Sequence, residues 1–353
     1  MTSPMSPRER ILNAINHKPV DRFPTDIWAV PEVWQKLKDY FRTNDTLEIY
    51  EHLGIDGIIG LSPEYHGPAF HGPDPSLTYN EWGWGMRKTE YQGGIYEEQV
   101  YFPLATAETI EDLERFPWPD PEDYDYSVIA EKAQKFPDRA RMCGYSAIFY
   151  YHNNLRGLEC SLMDPILRPE FTRVLLQKIS DIFFEYHRRC FEAAPGLIDI
   201  TQVTDDFGSQ NGLLISPKLF DEFYRPHMQR AIDLAHSFGI QVFHHDDGDC
   251  RRLLPRLIEM GINILNPIQW RCGNWDLSEL KERYGASICF HGGVDNQNTL
   301  PFGSPEDVAR EVRRLKETLG SDQTGLIIAP CHNIQAITPL ENILTLYKTA
   351  SEE

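Results

Sequence analysis

The run VFHHDDGD, residues 242–249, places two imidazoles and three carboxylates directly after an apolar stretch. Histidine and aspartate are costly to bury without partners and ordinary in solvent. In an extended chain successive side chains point to opposite sides. His245 and Asp247 should therefore share one side, and His244 and Asp246 the other. A pair at i and i+2 offers two ligands to one cation. A third must come from another segment, and His332 in APCHN is the candidate. Two imidazoles and one carboxylate suit zinc with an open coordination position, or a harder divalent ion such as iron or manganese. The same residues also suit a polar turn in which Asp247 or Asp249 caps the next helix.

Other positions carry comparable potential. Asp205 and Asp206 follow the apolar run LIDITQVT, where they could move a proton or orient a ligand histidine; a helix cap is the plainer alternative. Gln210, Gln269 and Trp28 are candidates to contact a substrate. So is His291, which precedes two glycines in CFHGGVD, although a core histidine bonded to a neighbouring strand reads equally well. Cys331, beside His332, is a candidate thiolate or a small buried hydrophobe. Trp28, Tyr65, Trp82, Trp84, Phe149, Tyr150 and Tyr151 could line a pocket for a flat or apolar molecule, or fill core.

These residues need elements to hold them. Apolar runs recur at 22–29, 54–61, 140–146, 197–206, 240–247, 262–269, 287–295 and 326–333. They are continuous rather than alternating, as expected of strands covered on both faces. Helical patterns lie between the later ones. SPEDVAREVRRLKETLG opens on Ser304 as N-cap and ends on Gly320 as a C′ glycine. Eight such strands joined by helices predict a single (β/α)8 TIM barrel over residues 1–353, whose active site gathers at the C-terminal strand ends. Residues 77–102 break the rhythm with alternating polar and aromatic residues around Gly93-Gly94, which predicts a β-hairpin inserted after strand 2.

Composition narrows the function. A net charge of −19 removes the electrostatic footprint of a nonspecific nucleic-acid or membrane binder. No apolar run approaches the length of a membrane span, and the first residues lack a signal-peptide apolar region. Seven scattered cysteines without a CxxC pair fit a cytoplasmic protein. Together these point to a small-molecule substrate; the oligomeric state, a homodimer included, stays open.

The stretches SPRERILNAINHKPVDRFP, LRGLECSLMD, DDFGSQNGLLISPKLFDEFYRPHMQRAID, HDDGD, GINILNPIQ, HGGVDNQNTLPFGSPEDVAREV and APCHNIQAITPLENIL together resemble the uroporphyrinogen decarboxylase superfamily. The resemblance covers essentially the whole chain and implies a single-domain (β/α)8 barrel. The decarboxylases of the superfamily, which need no cofactor, carry an arginine-rich N-terminal motif and an FSD-type aspartate. Here the first region reads DIWAVPEVWQKLKDYF, without arginine, and Asp56 in GIDGII is at best a distant counterpart of the second. The corrinoid-dependent methyltransferases of the superfamily carry a zinc motif His-x-Cys and a later Cys ahead of TPxEN. This chain has His245-Asp246-Asp247, and His332 ahead of Thr338-Pro339-Leu340-Glu341-Asn342, so Asp247 and His332 stand where thiolates are expected. The resemblance therefore implies a metal-dependent methyltransferase or demethylase, with a divalent metal, zinc by preference, on His245, Asp247 and His332. Its methyl acceptor would be a corrinoid on a partner protein, and a methoxylated substrate suits the harder ligand set. A cofactor-independent decarboxylase is the alternative.

Overall fold

The structure, a computed structural model, describes residues 4–91 and 94–352. Seven parallel strands form one sheet in chain order: β1 (Ile58–Leu61), β2 (Ala140–Ser146), β3 (Ile200–Val203), β4 (Gln241–His245), β5 (Ile264–Asn266), β6 (Cys289–Val294) and β7 (Leu326–Pro330). Each is shorter than or equal to the apolar run that predicts it. The first predicted strand, 22–29, is not a continuous ladder. It touches β7 through a bridge at Thr25–Ile328, and the chain beyond β7 through one at Ala29–Ile334. On its other side the Thr25 carbonyl accepts the Gly57 amide, and the Asp26 carboxylate takes the Ile58 amide, 3.1 Å away, where a ladder would use a carbonyl. Segment 24–29 thus joins both edges of the sheet, and the arrangement is that of a TIM-like barrel.

The strands alternate as their burial requires. Ala140, Ile200, Phe243, Ile264, Cys289 and Ile327 form an interior cluster, while Val203, Val242, Leu265, Phe290, Leu326 and Ile328 pack outward against the helices. The helix Pro7–Ile15 pushes Ile11, Ala14 and Ile15 into that interior cluster from below. It starts on a capping box, Ser6 with Glu9. Arginines tie it to the strand starts: Arg8 pairs with Asp199 at 2.6 Å, and Arg10 with Asp21 and the buried Asp56. Arg22 adds a second pair to Asp56 at 2.8 Å. Asp56 is therefore a structural anion at the N-terminal end of β1, away from the strand ends where the site lies.

The helix Pro305–Thr318 carries the expected Ser304 cap, in a box with Asp307. Gly320 is not left-handed. It is needed for space instead, since a Cβ there would lie 2.4 Å from the Phe23 ring. After β1 comes a three-stranded antiparallel sheet of Thr78–Tyr79, Gly85–Tyr91 and Gly94–Tyr101. Half of the turn expected at Gly93-Gly94 lies outside the described residues. Among the described residues no helix is long and apolar enough to cross a membrane.

Candidate metal centre

β4 ends on His245, and Asp247 stands two residues beyond it. His332 stands two residues beyond the end of β7. Alternation sorts the opening motif as anticipated. His244 and Asp246 are fully buried on the outer side, while His245 and Asp247 face the mouth. One ligand atom from each of His245, Asp247 and His332 falls within 4.8 Å of the other two. The two Asp247 oxygens divide between the imidazoles: Oδ1 is 3.7 Å from His245 Nε2, and Oδ2 is 3.7 Å from His332 Nε2. Asp206 brings a further carboxylate, 3.7 Å from His245 Nε2. Burial raises the Asp247 pKa and lowers that of His332, so both lean toward their neutral forms. No arginine or lysine pairs with this cluster among the described residues.

The tautomer of His245 is set from behind. β4 and β5 pair His245 with Asn266, and β5 and β6 pair Leu265 with Phe290, so Asn266 and His291 come next in line at one level of the barrel. His245 Nδ1–H donates to Asn266 Oδ1 at 2.6 Å. Asn266 Nδ2 donates to His291 Nδ1 at 2.7 Å. His291 Nε2–H donates to Asp26 Oδ2 at 3.0 Å. This relay leaves the Nε2 lone pair of His245 directed at Asp206, Asp247 and His332. Imidazole ligands are commonly fixed through their second nitrogen in this way. Asp247 is fixed too: Gln269 Nε2 donates to its Oδ1 at 2.7 Å, while Gln269 Oε1 accepts the Gly248 amide at 2.7 Å. Trp28 walls the site, its ring centroid 5.5 Å from His245 and 6.3 Å from His332.

Several expected roles change in light of this geometry. His291 is fully buried with both nitrogens bonded, so it cannot reach a substrate and instead serves the relay. Gln269 reaches the cluster, but both ends of its amide are engaged in holding Asp247 and its neighbour. Asp205 is buried, and its two oxygens accept the Phe149 and Tyr150 amides at 3.0 and 2.7 Å, capping the helix Ile148–Arg156. Burial raises its pKa well above the usual range. Of the two acids only Asp206 faces the cluster. Gln210 is exposed at the rim, where its Oε1 accepts from Cys272 Sγ at 3.3 Å. The Cys331 thiol is buried, donates to the Ile268 carbonyl at 3.3 Å and has a raised pKa, which makes it a poor thiolate ligand. The residues missed from sequence are Asn266 and Asp26. A buried Asn ending an apolar run, and an Asp two residues before Trp28 in PTDIW, were their only signals.

On the outer side, His244 Nδ1–H donates to the Val203 carbonyl at 2.9 Å, and its Nε2 lies 3.6 Å from Asp246 Oδ2. Burial pushes the His244 imidazole down to about 4 and Asp246 well up. This is a neutral buried pair that sits behind the motif rather than in the mouth.

A uroporphyrinogen decarboxylase from Aliivibrio salmonicida is 20% identical over 361 residues, covering 95% of this chain and 94% of that one. Another, from Trichodesmium erythraeum, is 24% identical over 186 residues, covering 52% and 48%. Among solved structures, a methyltransferase from Methanosarcina mazei superposes with a TM-score of 0.66 at 19% identity, covering 98% of both chains. That likeness speaks for the fold. The sequence profile described as uroporphyrinogen decarboxylase (URO-D) matches residues 97–353, well over half of the chain, and the chain belongs to that family.

Proposed function

We propose that this protein is a metal-dependent methyltransferase or demethylase that moves a methyl group between a small, methoxylated substrate and a corrinoid carried by a partner protein. The observation that carries the reading is the convergence of His245, Asp247 and His332 to within 4.8 Å, with no cationic side chain among the described residues to balance them. The donor set fits a divalent ion, zinc by preference: two imidazoles and a carboxylate, one imidazole presented by a fixed tautomer. A metal bound there would act as a Lewis acid toward an ether oxygen. The chain's own groups do the rest. The relay from Asp26 holds His245, and Gln269 holds Asp247. Asp206 stands beside the ligands to accept or return a proton at the substrate's oxygen. Trp28 offers an aromatic wall that excludes water and suits a flat ring. The name of the superposing Methanosarcina protein agrees with this reaction class.

The names of the curated relatives favour a second reading, a cofactor-independent decarboxylase. Its substrate would carry many carboxylates, and Asp206 and Asp247 at the mouth repel them without a basic partner nearby. Purified protein should therefore give no turnover of uroporphyrinogen. Decarboxylation at about 1 per second or faster would install the second reading. The metal is tested by elemental analysis of protein purified without chelator. Wild type should hold one equivalent of a divalent transition metal, and His245→Ala and His332→Ala should each lose it while keeping the fold. If both variants retain stoichiometric metal, the site is elsewhere. The reaction is tested by transfer of a labelled methoxy methyl to a reduced corrinoid.

A further inference from the structure

A second cavity, of about 220 Å³, lies between the end of β2, the helix Pro169–Ala193 and the chain that follows β1. It shares no lining residue with the metal centre. Its walls are aromatic: Tyr65, Trp82, Tyr124, Tyr145, Tyr151 and Tyr186. The rings meet edge to face or tilted, with Trp82 and Tyr151 centroids 4.7 Å apart, Tyr65 and Tyr124 5.0 Å, and Tyr124 and Tyr186 5.3 Å. One acid, Glu81, lines the same space.

The sequence NEWGW explains how Glu81 and Trp82 come to face inward. Asn80 Oδ1 accepts the amides of Trp82 and Trp84 at 3.1 and 2.9 Å, which closes the turn. Gly83 then takes φ +79°, open to a residue without a Cβ. Tyr124 OH donates to Glu81 Oε1 at 3.2 Å. Burial raises the phenol pKa of Tyr65, Tyr124 and Tyr151, and the charge of Glu81 pushes each the same way. The rings are therefore neutral, and among the described residues the one charged group lining the cavity is Glu81. The basic side chains nearby are engaged elsewhere: Lys132 pairs with Glu64 at 2.9 Å, and Arg189 with Glu122 and Glu185. Among the described residues Glu81 has no cationic partner.

We propose that this aromatic cavity is a binding site for a small methylated ammonium ion, held over the tyrosine and tryptophan faces with Glu81 as its counter-ion. Ring faces attract a cation through their quadrupole, and a quaternary nitrogen loses little hydration on entering such a cage. Apart from the Tyr124 hydroxyl, no lining group among the described residues offsets the Glu81 charge, and an occupant of opposite charge would. The volume falls below the roughly 300–1,000 Å³ of sites for drug-sized molecules, which selects an ion of choline size. The chain's net charge of −19 favours the approach of cations.

The test uses the full chain and two probes of equal shape, choline and its uncharged carbon isostere 3,3-dimethylbutan-1-ol, followed by calorimetry and by tryptophan fluorescence. Choline should bind at least about tenfold more tightly than the isostere, the ratio expected when the cation–π term supplies the difference. Glu81→Gln, which keeps the acceptor for Tyr124, should weaken choline by about tenfold and leave the isostere unchanged. Trp82→Leu should abolish the fluorescence response. Equal affinity for the two probes, equal affinity of wild type and Glu81→Gln for choline, or no choline binding at tens of millimolar would each overturn the assignment. A metal content unchanged across these variants keeps the result separate from the metal centre.

Discussion

Asn266 is the residue on which the relay turns, and replacing it isolates the relay from the ligands themselves. It is fully buried and bonded to one imidazole on either side. Asn266→Ala leaves His245 Nδ1–H and His291 Nδ1 without partners. A buried polar group left unpaired costs about 1–3 kcal/mol, so the apo protein should lose roughly 2–5 kcal/mol, somewhat less if His245 turns toward solvent. The effect on metal is separate. Losing the partner that orients a ligand imidazole typically weakens binding about 10–100-fold, or about 1.4–2.8 kcal/mol. Asn266→Asp is the control. Its carboxylate still accepts from His245, and it accepts from His291 Nδ1 when that ring takes up the proton that balances the added charge, so metal affinity should stay within a few-fold of wild type. The assay is competition for zinc against a chromophoric chelator, with the visible spectrum of the cobalt-substituted protein as a second readout of ligand geometry. If Asn266→Ala binds metal as tightly as wild type while His245→Ala has lost it, the relay does not position His245, and the tautomer argument fails.

Three further outcomes follow from groups outside the relay. His187 is fully buried and its imidazole is pushed down to about 4 from 6.5 by desolvation, so its contribution to stability is complete above about pH 6.5 and is lost as pH falls toward 4. His187→Leu should remove that slope, about 1.4 kcal/mol per pH unit, seen as a wild-type minus variant difference in urea unfolding at pH 7, 6 and 5; parallel curves would contradict it. Asp56→Ala strands two arginines at the closed end of the barrel and should cost about 3–5 kcal/mol, while metal content at saturating metal stays at wild type; loss of metal with stability retained would place Asp56 in the site after all. Asp206→Asn should leave metal stoichiometry intact and lower methyl transfer by about 10²–10⁴-fold, the range for a lost acid–base group, and unaltered transfer would exclude Asp206 from proton handling.

The shared side of His245 and Asp247 could be read from sequence because it rests on a local rule. Period-two alternation separates His245 and Asp247 from His244 and Asp246 whatever the fold does around them. The relay could not be read that way. It joins segments as distant as Asp26 and His291, and neither residue signals its partner locally. Gln269 and His291 were singled out as substrate contacts from their place near strand ends. Their roles, though, depended on which atoms were already bonded, and sequence is silent on that. Asp205 and Asp206 show the limit well: adjacent and identical in type, they face opposite ways, one to a helix start and the other to the mouth. The first predicted strand, 22–29, failed as a ladder because Pro24 within it has no amide to give, and because the carboxylate of Asp26 replaced a backbone acceptor.

Segment 24–29 bears on the order of assembly. It carries Asp26 and Trp28, and it is also the seam between β7 and β1. The contacts that zip this seam, between residues near 25 and residues near 328, span almost the whole chain and carry a correspondingly large loop-closure entropy. Until the seam forms, the relay has no terminal carboxylate and the mouth has no indole wall. A chain stalled before that step would hold His245, Asp247 and His332 at the ends of β4 and β7 without a fixed tautomer, and should take up metal weakly. Tight uptake of metal would then mark the completion of the barrel, and a zinc-sensitive Trp28 emission could time the last event of folding.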